Sequence, residues 1–135
     1  MVDYQRLREL SIADVTGRIP AYLHIPFCAK HCWYCDFNVY ERLGGLVKRY
    51  CEALIQEIEN TSRILGKRLR VGTVYVGGGT PSLIGGKLLS GLLETLTGEL
   101  DFRCGVEATV EANPSNVTMA LLSTMMKAGY RRLSI

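Results

Sequence analysis

No apolar stretch of this chain approaches the length needed to cross a bilayer. The N-terminal Met1-Val2-Asp3-Tyr4-Gln5-Arg6 mixes acid and base without an apolar core, so no secretory leader is read there. The expected location is therefore the cytoplasm. Charge imbalance is also slight: 16 basic against 13 acidic residues leave a net charge of +3. The two small basic clusters, Lys67, Arg68 and Arg70 and then Arg131 with Arg132, are short and not interleaved with aromatics. They read as solvated surface, and no nucleic-acid partner is expected. Internal repeats and low-complexity segments are absent.

What is present suits one domain with a buried core: 135 residues, 47% hydrophobic and 21% charged. Five cysteines in a reducing compartment, three of them tightly spaced, argue for metal binding over disulfides.

The apolar pattern alternates between strand and helix periods. Strands are expected at residues 21–26, 71–76, 106–112 and 132–135. Helices are expected at 46–65, closed by Gly66, at 86–96, and from an N-cap at Thr118 to a stop at Gly129. Buried positions are read at Val47, Tyr50, Cys51, Leu54, Ile58 and Leu65 in the first helix. In the second they are Leu88, Leu89, Leu92, Leu93 and Leu96, and in the third Leu121, Leu122, Met125 and Met126. The βαβαβαβ order implies an α/β fold with a parallel sheet and right-handed crossovers.

Such a sheet, covered on both faces, should be almost wholly apolar. Two strands break that rule. Tyr22 and His24 share a face opposite Ala21, Leu23 and Ile25, and Glu107, Thr109 and Glu111 share a face opposite Val106, Ala108 and Val110. A polar wall of this kind is expected where a barrel encloses a ligand, with its working end at the strand C-termini.

Cys28-Ala-Lys-His-Cys32-Trp-Tyr-Cys35 follows the first strand and gives a C-x3-C-x2-C spacing at that end. A fully ligated [4Fe–4S] cubane takes four thiolates, so three leave one iron open for a reactant. A zinc site using His31 is the plain alternative, but zinc usually recruits a distant second ligand pair, and none is evident. A ferredoxin-like site needs a fourth thiol. Cys51 lies on the apolar face of the first helix, and Cys104 is read in a turn before the third strand.

Gly77-Gly78-Gly79-Thr80-Pro81 ends the second strand, where glycines let backbone approach a ligand closely. A tight strand-to-helix turn is the plain alternative, and the spacing is not that of a P-loop. Glu111 is the last inward carboxylate of the third strand and is placed to accept hydrogen bonds from ribose hydroxyls; a structural ion pair is its alternative. Glu107 lies deeper by about 13 Å of strand, beyond the reach of about 10 Å within which paired glycosidase carboxylates work.

The segments YLHIPFCAKHCWYCDFN, VYVGGGTPS, VEANP and AGYRRLSI resemble radical-SAM proteins of the oxygen-independent coproporphyrinogen III oxidase family, in family order across residues 21–135. The resemblance implies the N-terminal half of a partial (β/α)6 TIM-like barrel, with residues 1–20 as an extension, and an N-terminal piece of a longer protein. It implies cluster ligation by Cys28, Cys32 and Cys35, and S-adenosylmethionine contacts from Tyr22, Tyr34, Gly78, Gly79, Thr80 and Glu111. In the family, electron transfer from the reduced cluster cleaves S-adenosylmethionine to methionine and a radical that abstracts hydrogen from substrate. No further catalytic residue is assigned.

True oxidases of the family, which convert coproporphyrinogen III to protoporphyrinogen IX, carry a fourth cysteine two residues after the third. Phe37 occupies that position here, which counts against oxidase activity. Cys35-Asp36-Phe37-Asn38 instead resembles the HemW-type heme chaperones, implying heme as a further ligand and a respiratory protein as its recipient. His24 and His31 are available in principle as heme ligands, although lone histidines are more often structural.

Overall fold

The computed structural model describes residues 17–41, 44–65 and 69–135, the side chains of Arg103 and Cys104 excepted. The expected helix stop at Gly66, the basic pair Lys67 and Arg68, and most of the N-terminal extension lie outside these residues. In chain order the elements are β1 (Ile19–Ile25), β2 (Phe27–Cys28), β3 (Tyr40–Glu41), α1 (Gly44–Leu65) and β4 (Arg70–Gly78). They continue with α2 (Gly86–Glu99), β5 (Asp101–Glu111), α3 (Met119–Ala128) and β6 (Arg132–Ser134). Short 3-10 turns at Pro81–Ile84 and Pro114–Asn116 follow β4 and β5.

The main sheet runs β1-β4-β5-β6 with every neighbouring pair parallel, as the βαβ order requires. The described helices cover one face of it. Leu23, Ile25, Val74, Val76, Ala108 and Val110 of the strands share a core with Cys51, Ile58, Leu89, Leu92, Leu93, Leu96 and Met125 of the helices. A constant hand of crossover places successive helices on the same side of a sheet. The opposite wall is polar, as the alternation implied. Its register aligns Tyr22, Tyr75, Thr109 and Arg132 in one row across the four strands.

Local signals explain the helix ends. The Thr118 hydroxyl accepts from the Leu121 amide, and Gly129 closes α3 at φ +114, a conformation that costs a glycine little. Tyr130 then folds back, its hydroxyl donating to Leu89 O at 2.9 Å inside the core.

Several expectations need correction. β5 starts at Asp101, five residues early, because the backbone bulges between the Phe102 and Glu107 pairings, with Gly105 at φ +89. Cys104 is therefore within the strand and not in a turn before it. Ala112 lies beyond the strand end. β4 runs through Gly78, so two glycines of the turn belong to the ladder. Met126, placed on the packed face, is 65% exposed, because α3 presents only a narrow stripe to α2. The β2–β3 ladder carries no periodic signal at two residues per strand.

Candidate functional site

The C-terminal ends of the strands open into a cleft of about 650 Å³. Its lining brings together Cys28, Cys32 and Cys35, the turn residues Gly78, Gly79 and Thr80, and Glu111, with Tyr34 and Phe37 among the remaining lining residues. Residues some 80 positions apart in sequence thus meet because parallel strands deliver all their C-termini to one end. Tyr22 is the exception among the residues expected to bind S-adenosylmethionine. It is not part of this lining and stands on the polar wall, stacked on Tyr75 at 6.1 Å and 17°.

Each glycine of the turn is small for a different reason. A Cβ on Gly77 would come within 2.8 Å of the Tyr75 ring and 3.0 Å of the Glu111 carboxylate. On Gly78, at φ +126, it would strike the His24 imidazole at 2.8 Å. On Gly79 it would meet Phe27 O at 2.6 Å and Cys28 Sγ at 2.9 Å. The third contact joins the glycine turn to the base of the cysteine loop.

The turn's amides are already engaged. Gly78 N donates to Glu111 Oε2 at 3.0 Å, Gly79 N to Ile25 O and Thr80 N to Phe27 O, each of these two at 2.8 Å. Hydrogen bonds from this turn to a ligand must therefore come from its carbonyl oxygens, which are acceptors suited to an ammonium, or from the Thr80 hydroxyl. That hydroxyl lies 3.6 Å from Cys28 Sγ. Ser82, 3% exposed, donates to Asn116 Oδ1 at 2.7 Å and so ties the turn after β4 to the turn after β5.

The cysteine loop is more open. Its backbone makes a turn in which Cys35 N donates to Cys32 O at 3.0 Å, and His31 Nε2 lies 2.8 Å from Cys35 O. That bond occupies one ring nitrogen and leaves Nδ1 as the nitrogen that could meet a metal. His31 N also donates to the Glu41 carboxylate, which fastens the loop to β3. The other histidine, His24, pairs through Nδ1 with the Tyr22 hydroxyl at 3.2 Å. Hydrogen bonding to Cys32, followed by that residue's charge, pushes the Tyr34 hydroxyl above its ordinary range. Among the described residues no three His, Cys, Asp or Glu side chains converge as a single-ion site requires. In a cubane each thiolate instead takes its own iron.

Cys51 is 1% exposed in the core, and burial pushes its thiol upward, which removes it as a fourth ligand. Glu107 pairs with Arg132 at 3.2 Å, and Arg132 also donates to Thr109 Oγ1 at 3.0 Å. Glu111 has different partners: Tyr75 OH donates to its Oε1 at 2.7 Å, alongside the Gly78 amide on Oε2. Sequence reading missed Tyr75 and Ser82. Strand parity could have found Tyr75, because it shares a face and a row with Tyr22.

A parallel α/β sheet whose strand ends gather a three-cysteine loop, a glycine turn and an inward glutamate defines a class that known proteins share. Residues 22–135 match the model of the Radical SAM superfamily, and the chain belongs to that superfamily. It is 43% identical over 117 residues to the heme chaperone HemW of Mycobacterium tuberculosis, covering 84% of this chain and 30% of that protein. The Escherichia coli heme chaperone HemW is 36% identical over 115 residues, with 84% and 30% coverage. The bovine mitochondrial radical S-adenosyl methionine domain-containing protein 1 is 36% identical over 125 residues, covering 93% of this chain and 28% of that one. Among solved structures, the coproporphyrinogen III oxidase HemN of Escherichia coli, described as a radical SAM enzyme, superposes with a TM-score of 0.83 at 28% identity. That match covers 98% of this chain and 30% of the other. The chain thus spans about a third of the length of the relatives it matches.

Proposed function

We propose that residues 21–135 form the first part of a radical-SAM heme chaperone, which holds a [4Fe–4S] cluster and S-adenosylmethionine in the strand-end cleft. The observation that carries the reading is the meeting of the cysteine loop with Gly79 and Thr80 in that cleft. The residues fit the group. Cys28, Cys32 and Cys35 are free thiols on one short loop, and the space that a Gly79 side chain would fill is left beside Cys28 Sγ. A cluster held by three thiolates supplies one open iron and an electron for a sulfonium ligand.

Around it, this chain's residues bind and orient. The glycine-turn carbonyls and the Thr80 hydroxyl offer acceptors to the ligand's ammonium. Glu111 offers its free lone pairs to ribose hydroxyls. Tyr34 covers the loop side, and Tyr22 contributes from the polar wall through its stack on Tyr75. No helix among the described residues is long and apolar enough to cross a membrane, and we place the protein in the cytoplasm, handing heme to a respiratory protein.

Phe37 in the lining of the cleft and the relatives named heme chaperones support this branch. The superposition on coproporphyrinogen III oxidase favours a second reading, oxidative decarboxylation of a porphyrinogen. The whole natural protein, reconstituted anaerobically, separates them. The chaperone reading expects stoichiometric heme binding and no protoporphyrinogen from coproporphyrinogen III with S-adenosylmethionine and reductant. Protoporphyrinogen above a control lacking S-adenosylmethionine would replace it with the oxidase.

A further inference from the structure

We propose that Tyr75 is a positioning residue that locks the Glu111 carboxylate in the orientation needed to receive a ribose diol. The inference rests on the reading of Glu111 as a ribose acceptor and adds to it the group that aims it.

An ionised carboxylate offers about four lone-pair directions. Two are used inside the protein, one on each oxygen, by Tyr75 OH at 2.7 Å and Gly78 N at 3.0 Å. One donor alone would leave the carboxylate free to swing about its remaining torsions. Two donors on different oxygens fix its plane and leave the other lone pairs directed away from both. Glu111 lines the cleft, so the remaining acceptor capacity is presented there.

Tyr75 is itself held. Its ring stacks on Tyr22, one strand away in the same row, and Gly77 has no side chain in the space where ring and carboxylate meet. A tyrosine that served only as packing would lie on the helix-covered face with Val74 and Val76, which are 1% and 0% exposed. Tyr75 projects instead from the polar wall and ends its hydrogen bond on a carboxylate.

The test uses the whole natural protein with its cluster reconstituted in the oxidised state, and reads binding by calorimetry. S-adenosylmethionine is the ribose-bearing probe, and methionine is the probe without ribose. Glu111→Ala is expected to weaken S-adenosylmethionine and leave methionine unchanged; equal affinity of Glu111→Ala and wild type would sink the Glu111 reading and this inference with it. Given that loss, Tyr75→Phe is expected to weaken S-adenosylmethionine by about five- to tenfold, since pre-organisation is removed and no ligand contact is lost. Methionine should stay within about twofold, and Tyr75→Phe should add nothing in the Glu111→Ala background, as a residue acting only through Glu111 requires. Three results would each overturn the role of Tyr75 while leaving Glu111 in place: unchanged S-adenosylmethionine affinity in Tyr75→Phe, equal losses for both probes, or a further loss in the double variant.

Discussion

The two walls of the cleft are built on opposite principles. The glycine turn stands at the end of a strand backed by helices, where Ile25, Val76 and Val110 are each 0% exposed, and its amides are engaged by neighbouring backbone and Glu111. The cysteine loop exposes Trp33 at 95%, Tyr34 at 70% and Phe37 at 69%. One wall is pre-organised by packing; the other anchors Cys28 in β2 against the turn and carries Cys32 and Cys35 on an exposed segment held by hydrogen bonds through His31 and the Cys35 amide. Metal binding that completes such a loop couples its order to the metal. On the proposed reading, the turn would orient the ligand and the loop would anchor the cluster.

The largest effect should come from the loop's thiols. Cys28→Ala, Cys32→Ala and Cys35→Ala should each reduce iron after anaerobic reconstitution to background, whereas Cys51→Ala should keep the wild-type iron content. Equal iron loss in all four variants, by metal analysis, would erase the distinction between loop and core cysteines.

Next in size is Gly79→Ala. Its methyl group would need the space held by Phe27 O and Cys28 Sγ. Because the turn is the packed wall, the clash should cost about 1–3 kcal/mol of stability and also lower cluster occupancy by displacing Cys28. A melting midpoint and iron content equal to wild type would show that the turn yields as readily as the loop.

Much of this division is legible in the sequence. The parity of Tyr22 against Leu23 and of Glu111 against Val110 revealed the polar wall, and Thr118 and Gly129 marked the ends of α3 by their capping chemistry. The C-x3-C-x2-C spacing singled out the loop as a candidate cluster site without any geometry. Other features were not readable because they depend on what stands across the fold. Nothing in Gly77-Gly78-Gly79 says that each glycine faces a different neighbour. The early start of β5 was hidden by a bulge that interrupts its alternation, and Met126 matched helical spacing yet fell outside the contact with α2. Tyr75 looked like one aromatic in a strand until its carboxylate partner was in place.

A smaller effect belongs to the packed body. Tyr130→Phe removes the hydroxyl that donates to Leu89 O while keeping the ring, and should cost about 1 kcal/mol at neutral pH. Burial also pushes the Tyr130 hydroxyl far above its ordinary value. The folded state thus favours the neutral phenol. Its contribution is fully present below the unfolded tyrosine pKa of about 10 and is lost as pH rises through the higher folded value. Denaturation followed from pH 8 to 11 should show wild type losing more stability than Tyr130→Phe at the alkaline end. Parallel curves would remove the linkage.

The smallest effect should be on the open wall. With no metal bound, Trp33→Ala should change stability by less than about 0.5 kcal/mol, because a side chain this exposed contributes little packing. A larger loss in a denaturant titration would mean that the loop is as tightly packed as the turn.

The central claim is that the loop's cluster and the turn's ligand meet in one cleft, and the electron paramagnetic resonance of the reduced cluster tests it most directly. In the whole natural protein, adding S-adenosylmethionine should change the g-values of a [4Fe–4S]⁺ signal, since the ligand would reach the open iron; methionine-free adenosine should leave them unchanged. A signal from a fully formed cluster that is the same with and without S-adenosylmethionine would contradict the account.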